Sequence, residues 1–172
     1  MANPEFHEAV AEYASRVHGE VSRLRGLEVG PSWLAPSDAH AAASTSFKGL
    51  FATRSFSANQ ELCTYEGVCL RTVEALRVAD KSYLMRLGPQ CYVDARSCPL
   101  ILARYINDCV NPAGFNARFD KIPELQCARV VALRDIRPGE EIFVDYGKWY
   151  WAGSAVPPLR LSFSALHSRR GF

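Results

Sequence analysis

Near the start of the chain, apolar residues recur at steps of four and three. Phe6, Val10, Tyr13, Val17, Val21 and Leu24 share one face of a helix at that spacing. Asn3 can cap such a helix, and Pro4 suits its first position. Glu5, Glu8 and Glu12 lie early and Arg23 and Arg25 late, which complements a helix dipole. Gly26 suits the C-terminal cap. The pattern predicts an amphipathic helix over residues 1–26, packed on its own domain or docked on a partner. Residues 27–46, rich in Ala, Ser and Pro from Pro31 onward, predict a linker or irregular wrap. After residue 151, Pro157-Pro158 and several arginines predict a basic C-terminal tail over residues 152–172.

Between these flanks the pattern repeats. GLFATRSFSANQELCTYEG and RVVALRDIRPGEEIFVDYG align at a constant offset. Ala52, Arg54, Glu61 and Gly67 match Ala132, Arg134, Glu141 and Gly147. Apolar positions coincide as well: Phe51 with Val131, Phe56 with Ile136, Leu62 with Ile142. Each copy reads as strand, turn, strand, with Arg137-Pro138-Gly139-Glu140 the clearer turn. Ile142-Phe143-Val144 is then the closing strand of the second copy. Two related β-units predict a mostly β domain with internal pseudo-symmetry. Residues 82–87 and 91–94 predict two more strands around the Gly88-Pro89 turn, and residues 97–105 a short helical segment. RYINDCVNPAGFNARF, from Arg104 to Phe119, follows neither helical nor strand periodicity.

Composition narrows the chemistry. The 172 residues fit one domain with extensions, and 48% hydrophobic content supports a core. A net charge of +2 argues against sequence-specific nucleic-acid binding through a strongly basic surface. The six cysteines include no C-x-x-C pair and no partner histidine at zinc spacing, so no metal site is expected. The four histidines are read as structural or solvated. No stretch of the sequence reads as a membrane span or secretory signal, so an intracellular protein with reduced thiols is expected. Phosphate-binding glycine loops, G-x-S-x-G and H-E-x-x-H are all missing from the sequence. What remains is a set of aromatic and polar residues at predicted strand ends: Tyr83, Tyr92, Tyr146 and the cluster Lys148-Trp149-Tyr150-Trp151.

Four blocks in order resemble the SET-domain methyltransferases. Phe47-Lys48-Gly49-Leu50-Phe51-Ala52 is similar to the family's G-x-G-[LV]-[FR]-A, and Tyr65-Glu66-Gly67 to its Y-x-G. Tyr83-Leu84-Met85 through Tyr92-Val93-Asp94-Ala95 is similar to S-Y-L-F and Y-x-I-D-A. Arg104-Tyr105-Ile106-Asn107, with Gly139-Glu140-Glu141-Ile142 and Asp145-Tyr146-Gly147, resembles R-[FY]-I-N-H and G-E-E-L-x-x-D-Y-G. The resemblance covers residues 47–151. It implies a β-clip-like SET fold with a pseudoknot-like crossing at RYINDC.

The resemblance also implies a function: transfer of a methyl group from S-adenosylmethionine to lysine side chains of a protein or peptide, histone tails being common family targets. Location would be nuclear for a histone substrate and otherwise cytoplasmic. Lys48, Gly49, Leu50, Tyr83, Arg104, Tyr105, Asn107, Asp108 and Trp151 are the implied cofactor contacts, Asn107 through its side chain and Asp108 through its backbone. Tyr83, Met85, Val144, Tyr146 and Trp149 are implied to form the lysine channel, with Tyr146 the catalytic residue. Val144 stands where the family often has Phe or Tyr, and the extra room implies di- or trimethylation. The chain departs from the pattern at Phe47, in place of the first glycine, and at Asp108, in place of histidine. A binding module that has lost the cofactor through Phe47, or a purely structural β-domain, are the alternative readings.

Overall fold

The computed structural model describes residues 25–34 and 47–152. Residues 1–24, 35–46 and 153–172 lie outside it, and with them the expected N-terminal helix, most of the expected wrap and the tail. The elements are strands β1 (Leu27–Pro31), β2 (Lys48–Ala52), β3 (Glu61–Tyr65) and β4 (Val68–Leu70), a short helix α1 (Thr72–Arg77), then β5 (Leu84–Gly88) and β6 (Cys91–Asp94). A 3-10 turn (Leu102–Tyr105), β7 (Ala117–Ile122), a second 3-10 turn (Pro123–Leu125), β8 (Cys127–Ala132) and helix α2 (Lys148–Ala152) complete the described chain.

The strands form three small antiparallel sheets, ordered β1-β2, β3-β8-β7 and β4-β6-β5. The mostly β architecture expected from the sequence is present. Residues 27–31 correct the expectation of a linker. They pair along their whole length with β2, from Leu27 opposite Ala52 to Pro31 opposite Lys48. Leu27 is fully buried by that pairing. Ile142-Phe143-Val144 is a second correction, because it makes no regular strand. Its neighbourhood offers single bridges instead: Glu141 to Phe51, and Phe143 to Asn107. Of the helical segment expected over residues 97–105, only Leu102–Tyr105 is helical, as a 3-10 turn.

The sequence echo is a physical near-two-fold. Phe56 and Ile136, equivalent positions in the two copies, face each other and exchange both backbone hydrogen bonds at 2.9 Å. Ala52 N–H donates to the Glu140 carbonyl, and the equivalent Ala132 N–H donates to the Gln60 carbonyl. Gly139 N–H returns to Ala52, and Asn59 N–H to Ala132. Even the side-chain bonds repeat: Gln60 accepts from Ser57 N–H as Glu140 accepts from Arg137 N–H. Phe56 is 2% exposed and Ile136 is 1% exposed, so the axis runs through the core. Burying two such side chains contributes roughly 1.5–3 kcal/mol each.

That core also holds Leu50, Val93, Ile106, Val130, Ile142 and Val144. All six cysteines are free. Burial pushes the Cys63 thiol up to about 12 and the Cys109 thiol up to about 11, so both are inert protonated groups at neutral pH.

Gly67 joins β3 to β4 where backbones meet. A Cβ there would stand 2.3 Å from the Asp94 carbonyl oxygen and 3.0 Å from Ala95 Cα. Backbone atoms at the end of β6 would have to move, and with them the Ala95 N–H bond to the Tyr83 carbonyl. Gly67→Ala is expected to lower stability by about 1–3 kcal/mol, read as a fall in the urea midpoint at constant slope.

Candidate active site

The irregular stretch after Arg104 is ordered by borrowing partners from distant segments. Asn107 lies parallel to Phe143, and Val144 N–H donates to its carbonyl at 3.1 Å. Asn116, 1% exposed, stands in for a missing strand. Its Oδ1 accepts from Phe143 N–H, and its Nδ2 donates to the Glu141 carbonyl, both at 2.8 Å. Asp108 is 4% exposed. Its Oδ1 accepts from Val110 N–H at 2.7 Å. Its Oδ2 accepts from Tyr146 N–H at 2.9 Å and from Trp151 Nε1 at 2.8 Å. One carboxylate thus ties the crossing, the segment around Asn107 that runs beside Phe143, to Tyr146 and to α2. Val110 adopts φ 50°, a conformation that β-branched residues disfavour, and the Asp108 bond holds that turn.

A second buried carboxylate fixes the other side of the crossing. Glu141 is 1% exposed. It accepts from Ser32 Oγ at 2.7 Å, Trp33 N–H at 2.6 Å and Asn107 Nδ2 at 3.2 Å. Its carboxylate fills the space beside Gly49, where a Cβ would lie 2.2 Å from Oε1. Gly49 therefore serves the close approach of Glu141 to β2. Asn107 Nδ2 also donates to the Lys48 carbonyl at 2.9 Å. These bonds lock the Asn107 amide plane. Its Oδ1 accepts from no described residue, although the side chain is half-buried.

Tyr146 lines a cavity of about 1380 Å³. Aromatic and apolar side chains dominate the walls near it: Tyr65, Tyr83, Met85, Ile106, Phe119 and Tyr150. The Tyr146 hydroxyl donates to the Ile106 carbonyl at 2.6 Å, one residue before Asn107. Its ring meets Tyr150 edge-on at 4.6 Å and stacks on Trp151 at 6.0 Å. The Tyr65 hydroxyl is likewise spent, donating to the Tyr83 carbonyl at 2.7 Å. Burial first, then neighbouring tyrosines and Asp108, hold the Tyr146 phenol well above its ordinary value. Burial does the same for Tyr65. Both phenols are neutral at physiological pH.

A cationic and aromatic ladder runs past the same crossing. The Arg104 guanidinium lies 4.2 Å from the Tyr83 ring centroid and 5.0 Å from that of Tyr105, and Lys48 Nζ lies 5.9 Å from Tyr105. Four residues expected at the cofactor site therefore form one row. One of them, Lys48, is a cation whose carbonyl holds the Asn107 amide, and together with the unused Asn107 Oδ1 it gives a donor and acceptor set that fits an amino acid's carboxylate and amine. S-adenosylmethionine carries both groups, so the residues present fit it.

The expected residues thus divide. Tyr83, Met85, Arg104 and Tyr146 line the cavity. Lys48, Gly49, Asn107 and Asp108 gather at the crossing beside it. Leu50 and Val144 point into the core, both fully buried, and neither lines the cavity. Trp151 is anchored to Asp108 and packs on Tyr146. Trp149 lies in α2, and its side chain is outside the described residues. Sequence reasoning missed Glu141, Asn116 and the side chain of Asp108 as organisers of the site. Asn116 carried one usable signal, a lone amide between the apolar Phe115 and Ala117.

Residues 48–147 match the SET domain. Among solved structures, the chain is similar to one in the crystal structure of an active polycomb repressive complex 2 in the basal state. The identity is 28% and the TM-score 0.53, over 71% of this chain and 15% of that one. The chain thus spans a small part of that relative's length. Among curated proteins nothing matches it. The SET match takes in more than half of the chain, including both carboxylate organisers, the Asn107 segment and Tyr146, and on that ground the chain belongs to the SET-domain family.

Proposed function

We propose that the protein methylates lysine side chains of a protein substrate, with histone lysines among the candidates. The observation that carries this reading is the bond from the Tyr146 hydroxyl to the Ile106 carbonyl, both residues lining a cavity walled by aromatic and apolar side chains. It spends the phenol's only proton on the backbone. The phenol oxygen then has only lone pairs to offer, and these suit the N–H of a neutral amine.

A lysine ammonium cannot attack, because its nitrogen has no lone pair. Walls such as Tyr65, Tyr83, Phe119 and Tyr146 replace its hydration with weakly polar surface, which favours the neutral amine. The proton leaves to water through the cavity mouth. Accepting from the amine, Tyr146 turns the nitrogen lone pair toward the crossing at Asn107. Holding an amine in such an attack geometry can contribute on the order of 7–11 kcal/mol. S-adenosylmethionine, when bound, supplies the methyl group on a sulfonium. Asn107 Oδ1 and Lys48 are the residues proposed to hold its amino-acid end, with Tyr83, Tyr105 and Arg104 packing alongside. No group of three or more His, Cys, Asp or Glu that could hold a metal occurs among the described residues.

Binding tests this first. S-adenosylmethionine or its demethylated product is expected to raise the melting temperature, since a ligand at a hundred times its Kd stabilises by about 2.7 kcal/mol. Asn107→Ala is expected to abolish the shift. A wild-type protein with no shift would favour the binding-module reading.

The pH profile tests the amine. Because the Tyr146 phenol lies well above its ordinary value of 10.0, it stays protonated throughout the useful range. kcat/KM is expected to rise from about pH 7 to about pH 9 as more substrate amine becomes neutral, with no downturn. A maximum inside that window would contradict the assignment.

A further inference from the structure

Most charged side chains lining the cavity are already satisfied. Arg118 makes two bonds to Asp120, at 2.8 and 3.2 Å. Lys81 Nζ donates to the carbonyls of Ala75, Leu76 and Val78 at the end of α1. Arg104 is held between Tyr83 and Tyr105 and donates to the Ala95 and Arg96 carbonyls. Asp80 binds Arg96 and Ser82, and Asp145 accepts from Gly147 N–H.

Two cations are left over. Arg86, on β5, makes one bond, from Nε to the Gly88 carbonyl at 3.3 Å. Lys121, on β7, makes none among the described residues. Neither pairs with a described carboxylate. Their strands converge, since a Cβ on Gly88 would lie 2.9 Å from Pro123 Cγ, just beyond β7. Both side chains are exposed, and both line the same cavity as Tyr146. They also feel each other: burial and then the Arg86 charge hold the Lys121 ammonium below its ordinary value. Two like charges side by side cost energy unless an anion lies between them.

We propose that Arg86 and Lys121 form an anion-binding subsite in this cavity, and that the preferred substrate carries an aspartate or glutamate near its target lysine. The inference rests on the methyltransferase reading of the same cavity. A peptide carboxylate fits better than nucleic acid. The subsite has two cations in a cavity whose wall is otherwise mostly apolar and aromatic, whereas phosphate backbones are bound by longer basic tracks. Such a pair would select substrates by complementarity more than by raw affinity.

The test uses fluorescent lysine peptides in which each neighbouring position is set in turn to glutamate, glutamine or phosphoserine. Binding is measured by anisotropy, for wild type and for Arg86→Gln/Lys121→Gln, both at low salt. At the best position, wild type is expected to bind the glutamate peptide about tenfold more tightly than the glutamine peptide. The double variant is expected to bind the two equally, with an unchanged melting temperature. Equal binding by wild type, or a preference that survives in the variant, would overturn the subsite. So would a gain seen with phosphoserine alone, which would assign the pair to phosphate. Methyl transfer to the same peptides reads out separately. Transfer without a glutamate preference sinks the subsite and spares the methyltransferase reading. A glutamate preference in binding without any transfer does the reverse.

Discussion

Tyr146→Phe is expected to lower methyl transfer about a hundredfold to a thousandfold, the usual loss when one positioned polar contact is removed from a reacting centre. The argument is specific to the hydroxyl. The phenylalanine ring keeps the edge-on contact with Tyr150 and the stacking on Trp151. The backbone stays tied, because Asp108 accepts from the residue 146 N–H and not from the ring. What disappears is the oxygen between the Ile106 carbonyl and the incoming amine. Stranding that carbonyl costs about 1–3 kcal/mol of stability at most, which a folded domain tolerates. Cofactor binding should therefore change little while kcat collapses. A variant with kcat near wild type would remove Tyr146 from the chemistry.

The second large effect is structural. Glu141→Ala is expected to cost several kcal/mol, out of the roughly 5–15 kcal/mol that hold a typical domain together. Ser32 Oγ and Trp33 N–H lose their acceptor, while Asn107 Nδ2 loses one acceptor and keeps the Lys48 carbonyl. Each donor left without a partner costs about 1–3 kcal/mol. The side chain is also 1% exposed, so its removal opens a cavity beside Gly49. Glu141→Gln keeps the volume but turns an N–H₂ toward converging donors, so it should be destabilised less than the alanine variant yet measurably. Urea midpoints of both variants check the order. Because Glu141 orients the Asn107 amide, cofactor affinity should fall in both. A stable Glu141→Ala protein would mean that this carboxylate does not join β1, β2 and the crossing as described.

The near-two-fold was legible because its signal is local. Turn residues and alternating apolar positions are written in each copy, and Phe56 and Ile136, equivalent in the alignment, pair in the structure. The rest depended on partners far along the chain. LEVGP has only Leu27 and Val29 as apolar positions and ends in Gly-Pro, so its strand character comes from β2 across the gap. Glu61 and Glu141 occupy equivalent places in the echo and look interchangeable. Glu61 is exposed and pairs with Arg129 at 4.0 Å, whereas Glu141 is buried among three donors. No local pattern separates them. Asp108 was expected to act through its backbone, yet its carboxylate makes three bonds. Tyr146 was expected from the family's motif. Its geometry, with the phenol proton committed to Ile106, was not, because that bond spans the crossing.

The most direct test of a lysine-receiving cavity lined by Tyr146 is transfer of label from S-adenosyl-[methyl-³H]methionine to a peptide array, followed by amino-acid analysis of the labelled spots. Radioactivity confined to N-methyllysines, and lost in Tyr146→Phe, is the predicted result. Label on other side chains, label undiminished in the variant, or no label on any lysine peptide by a protein that binds the cofactor would contradict it.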